Sequence, residues 1–192
     1  MRILQATDIY LDIPDLAPFQ THKTAQRFGK ASLFIDDATT YALGETGPGG
    51  GIVFYLTPGT NGTQGLEAAS VDQSSGIQWG CDNTEVGGTS QDIGTGLANT
   101  KAIIKACGVG TAAGWAASYI SPTDVSGWYL PSLNELNQLY EQRSVVGGFA
   151  NFNYWSSTEY DSSIAWSQNF VIGYQLYSSK IYSLPVRAVR AF

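Results

Sequence analysis

Residues 154–192 read YWSSTEYDSSIAWSQNFVIGYQLYSSKIYSLPVRAVRAF, and two kinds of residue are interleaved in them. Trp155, Trp166, Phe170, Gly173, Pro185, Val186, Val189 and Phe192 are large apolar anchors or backbone punctuators of the kind that fix strands and turns. The gaps hold Asp161, Ser162, Ser163, Ile164, Ser167, Val171, Ile172, Tyr174, Leu176, Tyr177, Ser178, Ser179, Ile181 and Tyr182, which follow a period of neither two nor 3.6. A strand against a core should alternate and an exposed loop should be polar, so this mixture fits neither template. The expectation is a contact surface carried by a scaffold that includes Trp155, Trp166 and Phe170. Tyr supplies rigid area at low entropic cost and Ser adaptable hydrogen bonding, the composition of an antibody paratope.

The rest of the chain bounds what such a surface can do. With 192 residues it can bury a core without needing a disulfide. Only 14% of it is charged, against roughly 25% in a typical soluble domain, so its surface must be largely Ser, Thr, Asn, Gln, Gly and Tyr. A net charge of −6, with only the three cations of 23–30 gathered together, argues against a nucleic-acid partner. No apolar run approaches a membrane span and no signal-peptide core follows Arg2, so direct membrane insertion is not expected. Cys81 and Cys107 are open to two readings, one structural bridge or two inert thiols.

Residues 1–44 differ in character from the rest of the chain. Pro14 and Pro18 break short apolar stretches, Lys23, Arg27 and Lys30 gather positive charge, and 31–44 reads as one or two short strands. This is expected to be an arm for attachment or homo-oligomerisation. Gly44–Gly51 reads as a boundary loop; its glycines precede a strand, Ile52–Leu56, which is the wrong order for a phosphate cradle. Residues 57–96 should hold short strands and ordered turns. A helix begins near Leu97 and stops at Gly108, and a second short one fits Thr111–Tyr119. Ser132 and Glu135 form a capping box ahead of Leu133, Leu136, Leu139 and Tyr140 at helical spacing, with Gly147-Gly148 as the stop.

Five blocks in order carry a resemblance: Gly-Gly-Gly-Ile-Val-Phe-Tyr (49–55), Gly-Ile-Gln-Trp-Gly-Cys (76–81), Gly-Trp-Tyr-Leu-Pro-Ser-x-x-Glu-Leu (127–136), Tyr-Trp-Ser-Ser-Thr-Glu-Tyr (154–160) and Val-Arg-Ala-Val-Arg-Ala-Phe (186–192). Together they resemble a bacterial and phage domain family with a C-type lectin fold, over residues 45–192. The resemblance implies an α+β, C-type lectin-like domain preceded by a short N-terminal β arm. Members of that family are among the variable proteins of diversity-generating retroelements, in which an error-prone reverse transcriptase rewrites the 3′ end of a gene opposite template adenines. Template asparagine codons can yield every gap residue named above, and cannot yield Lys, Glu, Gln, Met or Trp. The residues between the gaps include Trp166, Gln168, Gln175 and Lys180. The implied variable region is about 154–192, the implied activity non-catalytic display, and the implied partner a protein or glycan on another cell or surface. Such a protein would lie outside the cell, on a bacterial surface or a phage particle.

Two inherited chemistries are weighed against this. The fold also reaches the formylglycine-generating enzyme, which uses a reactive cysteine pair, but fold does not carry function and no histidine lies near Cys81 or Cys107 in sequence to activate a thiolate. Calcium-dependent sugar sites of lectins of this fold carry a Trp-Asn-Asp triplet; Trp155-Ser156-Ser157 stands there, and hydroxyls are poor ligands for a hard cation. His22 is the single histidine, so neither a Ser-His-Asp arrangement nor a His-based zinc site can be drawn. No cofactor or metal is expected. Glu159 and Asp161 read as solvated loop charges, and Arg187 and Arg190 as structural residues on opposite faces of the final strand. A fixed-sequence surface adhesin of the same fold is the alternative to a diversified one.

Overall fold

The computed structural model describes residues 39–192. The arm and the strands expected within 1–38 lie outside the described residues. Residues 41–44, expected in the arm, share the packing of the domain: the Tyr41 ring meets Phe192 edge-on at 5.1 Å, and the Gly44 N–H donates to Val53 O at 2.8 Å.

In chain order the elements are β1 (Ile52–Leu56), β2 (Gly65–Ala68), β3 (Ser74–Ile77), α1 (Gly96–Cys107), α2 (Ala112–Ser118), α3 (Leu133–Glu141), α4 (Arg143–Val146), β4 (Asn153–Glu159), β5 (Ile164–Asn169), β6 (Gln175–Ser179), β7 (Leu184–Val186) and β8 (Val189–Ala191). The strands form three small antiparallel sheets, ordered β1-β2-β8, β3-β7 and β4-β5-β6. The last strand therefore returns to the first sheet, pairing Leu66 with Ala191 and Ala68 with Val189. The fold is α+β and C-type lectin-like. Among the described residues no helix is long and apolar enough to cross a membrane.

Local chemistry accounts for the helices. Ser132 Oγ accepts from the Glu135 N–H while the Glu135 carboxylate accepts from the Ser132 N–H, so both orphan donors of the first turn of α3 are satisfied. Leu133, Leu136 and Leu139 then bury one face. The helix ends earlier than its glycines suggest: Gln142 breaks it at Glu141, one further turn follows as α4, and Gly147 at φ 72° closes that turn. Thr111 caps α2, accepting from the Gly114 N–H, and Gly108 caps α1.

Two apolar clusters form the core. Trp79, Trp128, Trp155, Ile103, Leu130 and Val186 centre one, and Phe54, Tyr129, Leu136, Leu139, Tyr154 and Phe170 centre the other. Trp155 and Phe170 are both buried, in the first and the second cluster respectively. Cys81 and Cys107 are bonded to each other with Cα atoms 5.2 Å apart, joining the end of α1 to the loop after Trp79.

Three ion pairs hold the C-terminal segment, to Glu159 on β4, to Asp72 after β2 and to Glu67 on β2. Arg187 lies in the link between β7 and β8; its Nε donates to Asp72 at 2.7 Å, and its other nitrogens to the carbonyls of Ala69, Gly147 and Gly148. Arg190 on β8 donates to Glu67 at 2.7 Å, and Glu67 also accepts from the Gly49 and Gly51 N–H groups. Arg187 and Arg190 are structural, but they do not occupy opposite faces of one strand, because only Arg190 is on a strand. Glu159 is the second correction. Its side chain is buried, paired with Lys180 at 2.6 Å, and accepts from the Val86 and Gly87 N–H groups.

Candidate functional site

β4 is buried along its whole middle, Tyr154 to Thr158, whereas β5 and β6 do alternate, with an uncommon inner face. Ala165, Ser167 and Ser178 are buried on one side, and the hydroxyls of Ser167 and Ser178 bond to each other at 2.8 Å. Both serines were expected at the contact surface and neither reaches it. Small hydroxyl residues facing inward conceal the period of two, because a satisfied serine pair fills an inner layer that apolar side chains would otherwise announce.

The other side carries aromatic rings. Trp166 and Tyr177 are cross-strand partners with ring centroids 4.3 Å apart, and Tyr160 completes the group at 4.4 Å from Tyr177 and 6.1 Å from Trp166. Trp166, expected in the scaffold, is therefore only half-buried and lies on the outer face. Its spacing from Ile164, and that of Tyr177 from Gln175 and Ser179, is the period-two signal that could have placed it. Gln168 has the same parity but is covered, donating to Asn137 Oδ1 at 2.8 Å.

Each turn bordering this face is held by a side chain beneath it. Asp161 Oδ1 accepts from the Ser163 and Ile164 N–H groups, each at 2.8 Å, closing the β4-β5 turn. The Ser163 amide holds the Asp161 carboxyl below its ordinary range, so it stays ionised. Asn169 Oδ1 does the same for Val171 and Ile172 at 2.9 and 3.0 Å. Gly173, at φ 83°, sits against the Tyr140 ring, where a Cβ would come within 2.6 Å. Beneath the turn after β6, the Lys180 ammonium donates to Thr84 O, Ser162 O and Glu159, with the Trp79 ring 4.8 Å away.

With the backbone so held, the side chains above it are uncovered. Val171, Ile172, Tyr174, Tyr177, Ile181 and Tyr182 are between 52% and 67% exposed. Ser162, Ser163, Ile164, Leu176 and Ser179 are half-buried, as is Asp161 in its turn. Phe152, not singled out in the sequence, is also exposed; with Asn151, Asn153 and Asn169 it lines a shallow depression of about 220 Å³.

Among the described residues no group of three or more His, Cys, Asp or Glu could hold a metal ion. Ser156 Oγ donates to Trp166 O, and Thr158 Oγ1 to Ser90 O, inside the domain. Burial raises the Glu135 carboxyl above its ordinary range, although the Ser132 and Gly94 amides donate to it. That group caps a helix.

A family model described as the Lcl C-terminal domain matches residues 69–190, more than half of the chain. The chain belongs to the Lcl C-terminal domain family. Lcl C-terminal domains are lectin-like binding domains. The match to the Lcl C-terminal domain takes in Cys81 and Cys107, the Lys180–Glu159 and Arg187–Asp72 pairs, and all of the β4-β5-β6 sheet. No curated protein matches the chain.

Proposed function

We propose that this Lcl C-terminal domain is a non-catalytic display protein whose surface from Tyr160 to Tyr182 contacts a protein or glycan ligand, and that this surface is diversified by a retroelement. The observation that carries the reading is the burial pattern of 171–182. Six large side chains stand in solvent, while Ser178 and Lys180 between them are buried. Exposed apolar area of this kind, on a domain with its own complete core, favours use as an interface. The exposed residues Val171, Ile172, Tyr174, Tyr177, Ile181 and Tyr182 are all reachable from a template asparagine codon. The residues that hold the turns from below, Lys180 and Gly173 among them, include types that such a codon cannot yield or need not change.

The buried serines narrow the variable set. Ser167 and Ser178 belong to the scaffold, and Asp161 has a turn to close, a task that Asn also performs. The contact set is then Tyr160, Ser162, Ser163, Ile164, Trp166, Val171, Ile172, Tyr174, Tyr177, Ser179, Ile181 and Tyr182, with Trp166 a fixed aromatic in a changing field and Leu176, the register partner of Ser167, on the inner side. The bonding of Cys81 to Cys107 supports a structural rather than a catalytic pair. The ligand would be carried by another cell, and the protein displayed on a bacterial surface or a phage particle.

The gene decides the diversification. A near-identical repeat downstream, with AAC or AAT codons at the exposed positions and beside a reverse transcriptase gene, is the expected result. A lone gene without such a repeat leaves a fixed-sequence adhesin and removes the diversified reading.

A further inference from the structure

β6 is the outer strand of its three-stranded sheet. Two bonds fix which of its backbone groups face β5: the Lys180 N–H donates to Ser163 O and the Asn169 N–H to Tyr174 O, each at 2.9 Å. The register pairs Ile164 with Ser179, Trp166 with Tyr177 and Gln168 with Gln175. Antiparallel pairs alternate between bonded and non-bonded. Leu176 and Ser178 therefore turn their N–H and C=O groups toward β5, whereas Gln175, Tyr177 and Ser179 turn theirs away from the sheet. Among the described residues only Ser179 O finds a partner there, the Tyr182 N–H at 2.9 Å.

Exposed edges are usually blunted by Lys, Pro or a bulge. The stretch QLYSS contains none of these, and its pairing with β5 runs without a register shift. Within 154–192 the unpaired charge is one-sided. Lys180, Arg187 and Arg190 are each held in an ion pair, Asp161 is ionised in the adjoining β4-β5 turn, and the chain carries a net charge of −6. The rings of Tyr160, Trp166 and Tyr177 also offer π faces that attract cations.

We propose that the free edge of β6 takes an extended, lysine- or arginine-bearing segment of a partner protein as a fourth strand. This rests on the reading of 160–182 as a contact surface and chooses protein over glycan as its ligand. Main-chain bonds to Gln175, Tyr177 and Ser179 supply affinity that does not change when side chains change, and the neighbouring side chains supply selectivity. A surface under diversification gains from such a constant element. A second copy of the chain is disfavoured as the occupant, since it brings the same acidic charge.

The test uses short peptides of alternating valine and lysine, the same peptides with glutamate for lysine, and the lysine peptides N-methylated at every second residue. Amide hydrogen exchange of the full chain is followed residue by residue. The lysine peptide should slow exchange at Gln175, Tyr177 and Ser179 by about tenfold or more, with the glutamate and N-methylated peptides giving little protection. Protection absent at those amides, or equal with the N-methylated peptide, overturns the proposal. So does protection without peptide that grows with protein concentration, because a second copy then holds the edge. If the edge fails while Tyr174→Ser and Tyr177→Ser abolish capture of a natural ligand, the contact-surface reading stands without it.

Discussion

Lys180 Nζ lies 2.6 Å from Glu159 Oε1, with both side chains out of solvent, directly beneath the turn that exposes Ile181 and Tyr182. The pair also fixes 84–87, through Thr84 O and the Val86 and Gly87 amides. A buried charge left without its partner is far more costly than a pair replaced entire. Lys180→Met should therefore destabilise the domain by on the order of 3–5 kcal/mol, and adding Glu159→Gln should recover part of that loss. Urea denaturation of the two variants measures it.

Trp155 and Trp166 are eleven residues apart and should behave as opposites. Trp155 is wholly buried and its Nε1 donates to Ile77 O, whereas Trp166 lies on the outer face against Tyr177. Trp155→Ala should cost about 3–5 kcal/mol and Trp166→Ala about 1 kcal/mol or less. Equal losses in thermal unfolding would return Trp166 to the core.

The bridge between Cys81 and Cys107 closes a loop with a sequence separation of 26. Chain-entropy arguments give such a loop about 3.5 kcal/mol. The double variant Cys81→Ser, Cys107→Ser should lose stability of that order and keep ligand capture when folded.

Glu135 should set part of the pH dependence. Its folded carboxyl titrates above the ordinary value because burial disfavours the charge. The native state therefore binds the proton more tightly than the unfolded chain. The contribution to stability is greatest below the ordinary carboxyl range and declines as pH rises toward the raised folded pKa. Relative to Glu135→Gln, the parent domain should lose unfolding free energy as pH rises from the ordinary carboxyl range through the raised folded pKa. A constant difference across that interval would show that Glu135 is charged at no cost in the fold.

Local signals made much of this fold legible. The capping box at Ser132 and Glu135, the glycine after Cys107 and the apolar run Ile52–Leu56 each act within a few residues, and each element formed there. The ion pairs were illegible for the opposite reason: Asp72 and Arg187 are 115 residues apart and Glu67 and Arg190 are 123 apart. The surface was read in part. Tyr174, Tyr177 and Ile181 were expected to be exposed and are, but Ser167 and Ser178 were assigned outward because serine carries no apolar mark of an inner position. Trp166 was assigned inward because tryptophan usually does lie inside. Cross-strand register decides such cases, and a single strand does not reveal it.

The exposed side chains of 171–182 should take no part in folding. The most direct measurement is the unfolding free energy of one variant in which Val171, Ile172, Tyr174, Tyr177, Ile181 and Tyr182 are all replaced by serine. Surface changes away from caps and buried contacts cost about 0.5 kcal/mol or less each, so the expected result is a cooperative transition lowered by no more than roughly 3 kcal/mol in total, with the Cys81–Cys107 bridge and the sheet intact. A chain that fails to fold, or a loss comparable to that of Trp155→Ala from any one of the six, would contradict it.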